Sequence, residues 1–392
     1  MLTTTLPAKK GDGTPEFVLT LAAALGREHE VTVLAPRVRG GAKTEVVDGV
    51  RIERFAYFPH RWEGIADGAI LPNLKADPWR LVEVPFLVAA FIVKGLLVAT
   101  RKRPQVVNAH WMVPAGLVGM LIRKTLGIPY VLTVHGADTY ALNGRVSRWL
   151  KRKVLSSAHT VTSVSREIAG LLHISDLDVD RLVVPMGVDT EAIRSSVEPR
   201  QPIPGRLLFI GRLAEKKGVD VLLRAVAQVP RAKVVLVGGG PEESHLRQQT
   251  AKLGIEQQVE FLGQQTRPRV MEEMRLAHAV VIPSKVARDG DREGTPVVMA
   301  EAMAAGVPVI ASNLAGLGEH IVSGQSGLLV EPGSTDSLTQ ALVALLHGAL
   351  DLDLWVENAQ RHAKTALGLS AMKDRYSEFL SSAASETNDR RR

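Results

Sequence analysis

Short runs of aliphatic and β-branched residues alternate with amphipathic stretches along most of the chain. The pattern predicts strands at 31–35, 106–109, 130–134, 160–163 and 182–185, and a second set at 207–210, 233–237, 259–262, 279–282 and 309–311. Strands that read as continuous apolar runs, separated by helical stretches, belong to parallel sheets covered on both faces. Between the sets, Glu198-Pro199-Arg200-Gln201-Pro202-Ile203-Pro204-Gly205 carries three prolines and a glycine, which stop regular structure. The chain therefore reads as two doubly wound α/β domains. The first spans 1–197 and the second 206–368, with 198–205 as linker. Helices at 354–367 and 370–381 follow the second sheet, and 369–392 forms a helix and basic tail able to cross back to the first domain.

One apolar stretch stands apart. Residues 84–99 are nearly all apolar, yet they fall short of the ~20 that a spanning helix needs, and Lys94 interrupts them. Pro85 suits a first helical turn. Either this helix packs on the first sheet, or it stays partly exposed and touches a membrane, with Arg101-Lys102-Arg103 meeting lipid phosphates just beyond it.

Composition narrows the classes. At 392 residues with 45% apolar and 23% charged residues, the chain can bury a sizeable core in two to three domains. It has no cysteine, so disulfides, thiolate nucleophiles and Cys-metal sites are excluded, in keeping with a reducing compartment. MLTTTLPAKK lacks the apolar core of a signal peptide, and a cytoplasmic location is expected. The net charge of +7 admits nucleic acid, an anionic membrane surface or phosphorylated substrates. Aromatics are only 4% and no nucleic-acid-binding signature occurs, so nucleic acid is set aside.

Three stretches carry candidate chemistry. Phe209-Ile210-Gly211-Arg212-Leu213-Ala214-Glu215-Lys216-Lys217-Gly218 runs from a strand into a helix. Its glycines let backbone approach a ligand, Arg212 offers a fork for phosphate oxygens and Lys217 a point charge. The bland reading is a solvated turn. Gly238-Gly239-Gly240-Pro241 follows the next strand, at the carboxyl edge where α/β ligands sit; a plain tight turn is the alternative. In the stretch from Arg292 to Val309, Thr295 reads as an N-cap and Pro296 as first helical residue. Glu293 then stands just before a helix N-terminus, and Glu301 lies inside the helix, where a carboxylate pairs with a cation or accepts hydroxyls. Asp289-Gly290-Asp291 imitates a D-x-D metal motif, but Asp176-Leu177-Asp178 and Asp351-Leu352-Asp353 match equally well, so no metal site is expected.

With these residues in order, the chain resembles the family 4 retaining glycosyltransferases. The resemblance also runs through His135-Gly136-Ala137-Asp138, Ser163-Val164-Ser165 and Gly187-Val188-Asp189. His110-Trp111, Pro114-Ala115-Gly116 and the 289–296 stretch are similar to the exopolysaccharide, colanic-acid-type subgroup. The resemblance implies the GT-B fold: two Rossmann-like domains facing a central cleft. It implies transfer of a hexose, configuration retained and without metal, from a UDP- or GDP-linked sugar to a polysaccharide or lipid-linked saccharide. The donor is then a substrate and no cofactor is expected.

Carried residue by residue, the family implies that Arg212 and Lys217 hold the donor diphosphate, beside Gly239 and Gly240. Glu301 would bind ribose hydroxyls, Glu293 would contact the donor sugar, and the N–H groups of Gly294 and Thr295 would meet sugar or phosphate. His135 would face the donor sugar; a His satisfied at a strand end is the alternative. Asp138 would orient His135 or the acceptor, and the Gly11-Asp12-Gly13 loop would lie near donor and acceptor. One departure stands out: only Met1 and Leu2 precede Thr3-Thr4-Thr5, so strand one is clipped or begins upstream. Three alternatives fit the same pattern: a GT-B nucleotide-sugar epimerase or phosphorylase, a transferase acting on a soluble acceptor, and a non-catalytic sugar-nucleotide-binding protein, which the presence of Glu293 and Lys217 disfavours.

Overall fold

The computed structural model describes residues 1–9, 14–68, 70–136, 139, 144–172, 177, 179–314 and 316–389, without the side chains of 72 and 386–389. The chain forms two compact units. The first comprises Met1–Val164, Ile168–Val184 and the segment from Met372 on; the second comprises Ser165–Glu167 and Pro185–Ala371.

In the first unit β1 (Thr32–Pro36), β3 (Val50–Phe55) and β2 (Thr44–Val47) lie in the order β1-β3-β2. β4 (Val107–His110), β5 (Tyr130–Val134), β6 (Thr160–Ser163) and β7 (Asp180–Val183) run in chain order. Leu2 joins the two sets, bridging in parallel to Leu34 of β1 and Ala109 of β4. Its N–H donates to the Asn108 carbonyl at 2.8 Å, and His110 N–H returns a bond to its carbonyl at 2.9 Å. Strand one is thus a single bridge at the centre of the sheet, as short as its apolar content. The β2–β3 hairpin was not expected from the apolar pattern. It turns on Asp48 and Gly49, both at positive φ, the pair that a two-residue hairpin favours.

The second unit is an all-parallel sheet ordered β10-β9-β8-β11-β12-β13, built from β8 (Arg206–Ile210), β9 (Lys233–Val237), β10 (Val259–Gly263), β11 (Ala279–Ile282), β12 (Val309–Ser312) and β13 (Leu328–Val330). Alternate residues of one strand enter different cores. Leu208, Val235 and Val280 join one cluster, while Leu207, Val234 and Ala279 join the other. Burial on both faces is why these strands read as unbroken apolar runs.

The domain boundary differs from the expected 198–205 linker. The chain enters the second unit at Pro185, and 198–205 is strapped along that unit. Gln201 and Ile203 N–H donate to the carbonyls of Arg275 and Leu276, and Arg200 donates to those of Gly306 and Ala277. Prolines there stop helix and strand but leave the remaining donors free to bond. The Leu369–Asp389 helix leaves the second unit at its first turn. Tyr376 hydroxyl then meets Thr133 Oγ1 at 3.1 Å, and Arg375 donates to the Val183 carbonyl of the first unit.

The apolar 84–99 stretch lies in a helix of 20 residues, Glu83–Lys102, longer than expected. By length and composition the Pro78–Lys102 segment suffices to cross a membrane. However, Leu87, Phe91, Gly95 and Ala99 form a buried stripe, and a Cβ on Gly95 would lie 2.4 Å from Val118. The helix is held on its own domain through that stripe. The opposite face is apolar and exposed.

Candidate functional site

Most candidate residues gather at the carboxyl ends of the second unit's strands. Gly211-Arg212 leaves β8 and Gly238-Gly239-Gly240 leaves its neighbour β9. Gly211 N–H donates to the Val237 carbonyl and Leu213 N–H to that of Gly239, both near 3 Å. The two turns are locked together by close approach: a Cβ on Gly238 would sit 2.0 Å from the Gly211 carbonyl oxygen, and one on Gly240 2.3 Å from that of Leu213. Gly240 is therefore required by loop packing. Gly239 faces open space, with only a Glu243 carboxylate oxygen near its Cβ direction, at 3.8 Å.

The 215–218 turn is fixed against β11. Gly218 has φ +66°, and a Cβ there would meet the Pro283 carbonyl oxygen at 1.9 Å. That approach brings Lys217 to Glu293: Lys217 Nζ donates to Glu293 Oε2 at 2.8 Å. Lys216 lies 3.8 Å from the other carboxylate oxygen and 3.2 Å from Asp291. Glu293 is buried; burial alone would raise its pKa, but Lys217 and Lys216 hold it below the usual carboxylate range. It is therefore an anion at neutral pH. Arg212 is exposed on the same turn, and among the described residues no ion pair holds its guanidinium.

The helix after Glu293 is Val297–Ala304, and its N-cap is Pro296, not Thr295 as expected. Pro296 has extended backbone, φ −65° and ψ 126°, so helical dihedrals begin one residue later. Thr295 instead supports packing: a Cβ on Gly316 would clash with its Oγ1 at 2.2 Å. Glu301, in the middle of that helix and largely buried, is bonded to Arg267 at the start of the Arg267–Leu276 helix. Neither Lys216 nor Arg267 was singled out from sequence; their partners lie more than thirty residues away. Asp289 and Asp291 do not converge. Asp289 accepts from the Asp291 N–H while the Asp291 carboxylate pairs with Lys216.

His135 belongs to the first unit, just past β5. Its Nε2 lies 2.9 Å from Nδ1 of the fully buried His110, at the end of the adjacent β4. Trp111 and Phe17 pack against it with ring centroids 4.7 and 4.8 Å away. Burial lowers the pKa of His135 to about 3 and pushes His110 well down, so both rings are neutral, one donating to the other. β4 and β5 are neighbours, with His110 opposite Thr133, two residues before His135, so the approach of the two rings depends on the turn that follows β5. Asp138 and the Gly11-Asp12-Gly13 loop lie outside the described residues.

Buried neutral histidines tie stability to pH. His320, 3.0 Å from His362, is likewise lowered to about 4 by burial. Each such group binds its proton more weakly folded than unfolded. Its contribution is therefore full above pH ~6.5 and is lost as pH falls toward the folded value. The denaturant midpoint should fall between pH 6.5 and 4.5, above the range in which carboxylates titrate. An unchanged midpoint across that window would show that these rings protonate freely in the folded state.

Two α/β units, the second with glycine turns at the carboxyl ends of its strands, are the parts of a GT-B fold. Residues 194–362 match the family described as Glycosyl transferases group 1, and 12–187 match the Glycosyl transferase 4-like domain. A D-inositol 3-phosphate glycosyltransferase from Rhodococcus opacus is 30% identical over 76% of this chain and 73% of its own. A glycogen synthase from Mycobacterium tuberculosis is 27% identical over 83% of this chain and 80% of its own. Among solved structures, the Anabaena protein HepE in complex with UDP superposes with a TM-score of 0.73 at 20% identity, covering 95% of this chain and 98% of its own. Sucrose-phosphate synthase from Thermosynechococcus elongatus also reaches 0.73 at 20% identity, over 93% and 91%. The chain belongs to the family 4 glycosyltransferases.

Proposed function

We propose that the protein moves a hexose, with configuration retained, from a UDP- or GDP-linked donor to a polysaccharide or lipid-linked saccharide of the exopolysaccharide type. The observation that carries the donor half is the Lys217–Glu293 pair beside a glycine-framed turn that also bears the exposed Arg212. Arg212 and Lys217 would take the diphosphate, whose growing negative charge on departure they stabilise without a metal. Glu301 would exchange Arg267 for ribose hydroxyls. Glu293 would contact the donor sugar, with the N–H groups of Gly294 and Thr295 beside it. His135, neutral and fixed by His110, would face the sugar from the first unit, and Asp138 with Gly11, Asp12 and Gly13 would serve the acceptor. In front-side attack the acceptor oxygen bonds to the anomeric carbon as its bond to the diphosphate breaks. The acceptor proton passes to the departing phosphate oxygen. UDP and UDP-glucose complexes of HepE support this donor class.

The exposed apolar face of the Glu83–Lys102 helix favours an enzyme working in the cytoplasm, peripheral at the inner face of the cell membrane. A soluble acceptor is the second reading, favoured by the relative named for D-inositol 3-phosphate. A panel of nucleotide sugars, assayed for nucleoside diphosphate release with and without lipid-linked acceptor, separates them. Release should require one donor, rise with the lipid-linked acceptor and persist in EDTA. Strict metal dependence would overturn the metal-free donor site, and equal rates with soluble saccharides would favour the second reading.

A further inference from the structure

A cavity of about 280 Å³ opens on the first unit between the Glu83–Lys102 helix and the β1-β3-β2 strands, in the unit that does not hold the donor turns. Lys43, Arg51, Arg54, Lys94 and Arg101 line it, against a single carboxylate, Glu53. That carboxylate is already committed. Arg101 Nη2 donates to both its oxygens, at 2.6 and 2.8 Å, and Arg51 Nε to one at 3.0 Å. Burial would raise its pKa, yet these two guanidiniums hold it below the usual range. Arg54 is buried, donating to the Pro7 carbonyl at 2.5 Å, with Glu45 3.4 Å away. Counting Glu45, five cations still face two carboxylates. Lys43 and Lys94 are exposed, and no carboxylate among the described residues lies within ion-pairing distance of either.

A cluster this positive calls for an anion, and its setting selects which one. Lys94, Val98 and Arg101 come from the helix itself. At 100° per residue they occupy the flank between the buried stripe of Leu87, Phe91, Gly95 and Ala99 and the outward face of Phe86, Val93 and Leu97. Those three outward residues are 51%, 55% and 57% exposed, and Trp79, just ahead of the helix, is 85% exposed. A soluble protein gains nothing by displaying such a band to water. An anion pocket at the edge of an exposed apolar band matches the two halves of an acidic lipid, a phosphoryl headgroup and an acyl region.

We infer that this pocket receives the phosphoryl headgroup of an acidic membrane lipid while the Phe86–Val93–Leu97 face enters the acyl boundary. The inference rests on the peripheral-membrane reading and adds to it the lipid class and the residues that select it. The pocket fixes how the first unit meets the bilayer, and it is separate from the residues assigned to sugar transfer.

The test is flotation of the full chain with vesicles of phosphatidylcholine alone and of phosphatidylcholine with phosphatidylglycerol. The parent protein should float only with the acidic vesicles, less so as salt rises, because the headgroup attraction is screened over about 10 Å at 0.1 M. Lys43→Gln with Lys94→Gln removes two exposed charges that pair with no carboxylate among the described residues. The double variant should lose at least tenfold in partitioning, at about 1 kcal/mol per basic residue near the surface. Its melting temperature and nucleoside diphosphate affinity should not change. Phe86→Ser with Leu97→Ser should release the protein as strongly. A double lysine variant that floats like the parent overturns the pocket but leaves adhesion standing. A parent chain that floats with neither vesicle overturns both. Calorimetric binding of inorganic phosphate without flotation makes the pocket a site for soluble anions and overturns the lipid assignment. None of these outcomes bears on the donor site, which the nucleotide affinity reads separately.

Discussion

Glu293→Gln is expected to slow sugar transfer by about two to three orders of magnitude, while nucleoside diphosphate binds as tightly as to the parent chain or more tightly. The two halves of that result come from one ion pair. Lys217 is neutralised by Glu293 at 2.8 Å, with Lys216 sharing the same carboxylate. An arriving diphosphate must draw Lys217 away from that partner, so the carboxylate opposes nucleotide binding. Glutamine keeps the shape and removes the opposition. The charge it removes is then missing where the anomeric carbon turns cationic, so an effect on rate without a matching loss of affinity is the mark of a group acting in the transition state. Arg212→Ala should do the converse. With no ion-pair partner to release among the described residues, it should weaken nucleoside diphosphate binding about tenfold or more, about 1.4 kcal/mol. Turnover by Glu293→Gln near the parent rate would remove Glu293 from the reacting centre; unchanged nucleotide affinity in Arg212→Ala would remove that residue from the diphosphate site.

How much of this could be read beforehand depended on whether the signal was local. β9 was legible because Val234–Val237 is buried on both faces and so reads as an unbroken apolar run. The β2–β3 hairpin was missed for the opposite reason. Its strands alternate apolar and charged residues beside the solvent, although Asp48-Gly49 between alternating runs is a strong hairpin signal that could have found it. β13 has three residues, too few for any period to show. At the site, the glycine turns after β8 and β9 were visible because strand-turn-helix punctuation is written in adjacent residues. That Lys217 meets Glu293 was not, since the contact spans 76 positions. Nor was it visible that Glu301 is taken by Arg267, from a different helix. The helix Glu83–Lys102 shows a limit of composition as well. Its apolar residues cover most sides, so composition does not tell which face is buried; the Leu87, Phe91, Gly95 and Ala99 stripe, with Gly95 packed on Val118, does.

The largest expected loss of stability comes from Gly218→Ala, and a second glycine separates its causes. Gly218 has φ +66°, a conformation that costs a residue with a Cβ about 1–2 kcal/mol on its own. Gly290 has a similar φ of +82° but open space around it, so Gly290→Ala should show that backbone cost and nothing more. At Gly218 the added methyl would also lie 1.9 Å from the Pro283 carbonyl oxygen, an atom of the backbone that leads out of β11 and cannot rotate aside. The 215–218 turn must therefore lift from β11, breaking the Lys285 N–H bond to the Lys216 carbonyl and the approach that delivers Lys217 to Glu293. Gly218→Ala should accordingly lose about 3 kcal/mol or more in denaturant unfolding, roughly twice the loss at Gly290. Its nucleoside diphosphate affinity should fall with it, whereas Gly290→Ala should keep most of that affinity. Equal losses of stability in the two variants would mean that the turn tolerates the methyl group, and that Lys217 is positioned by something other than the contact between Gly218 and Pro283.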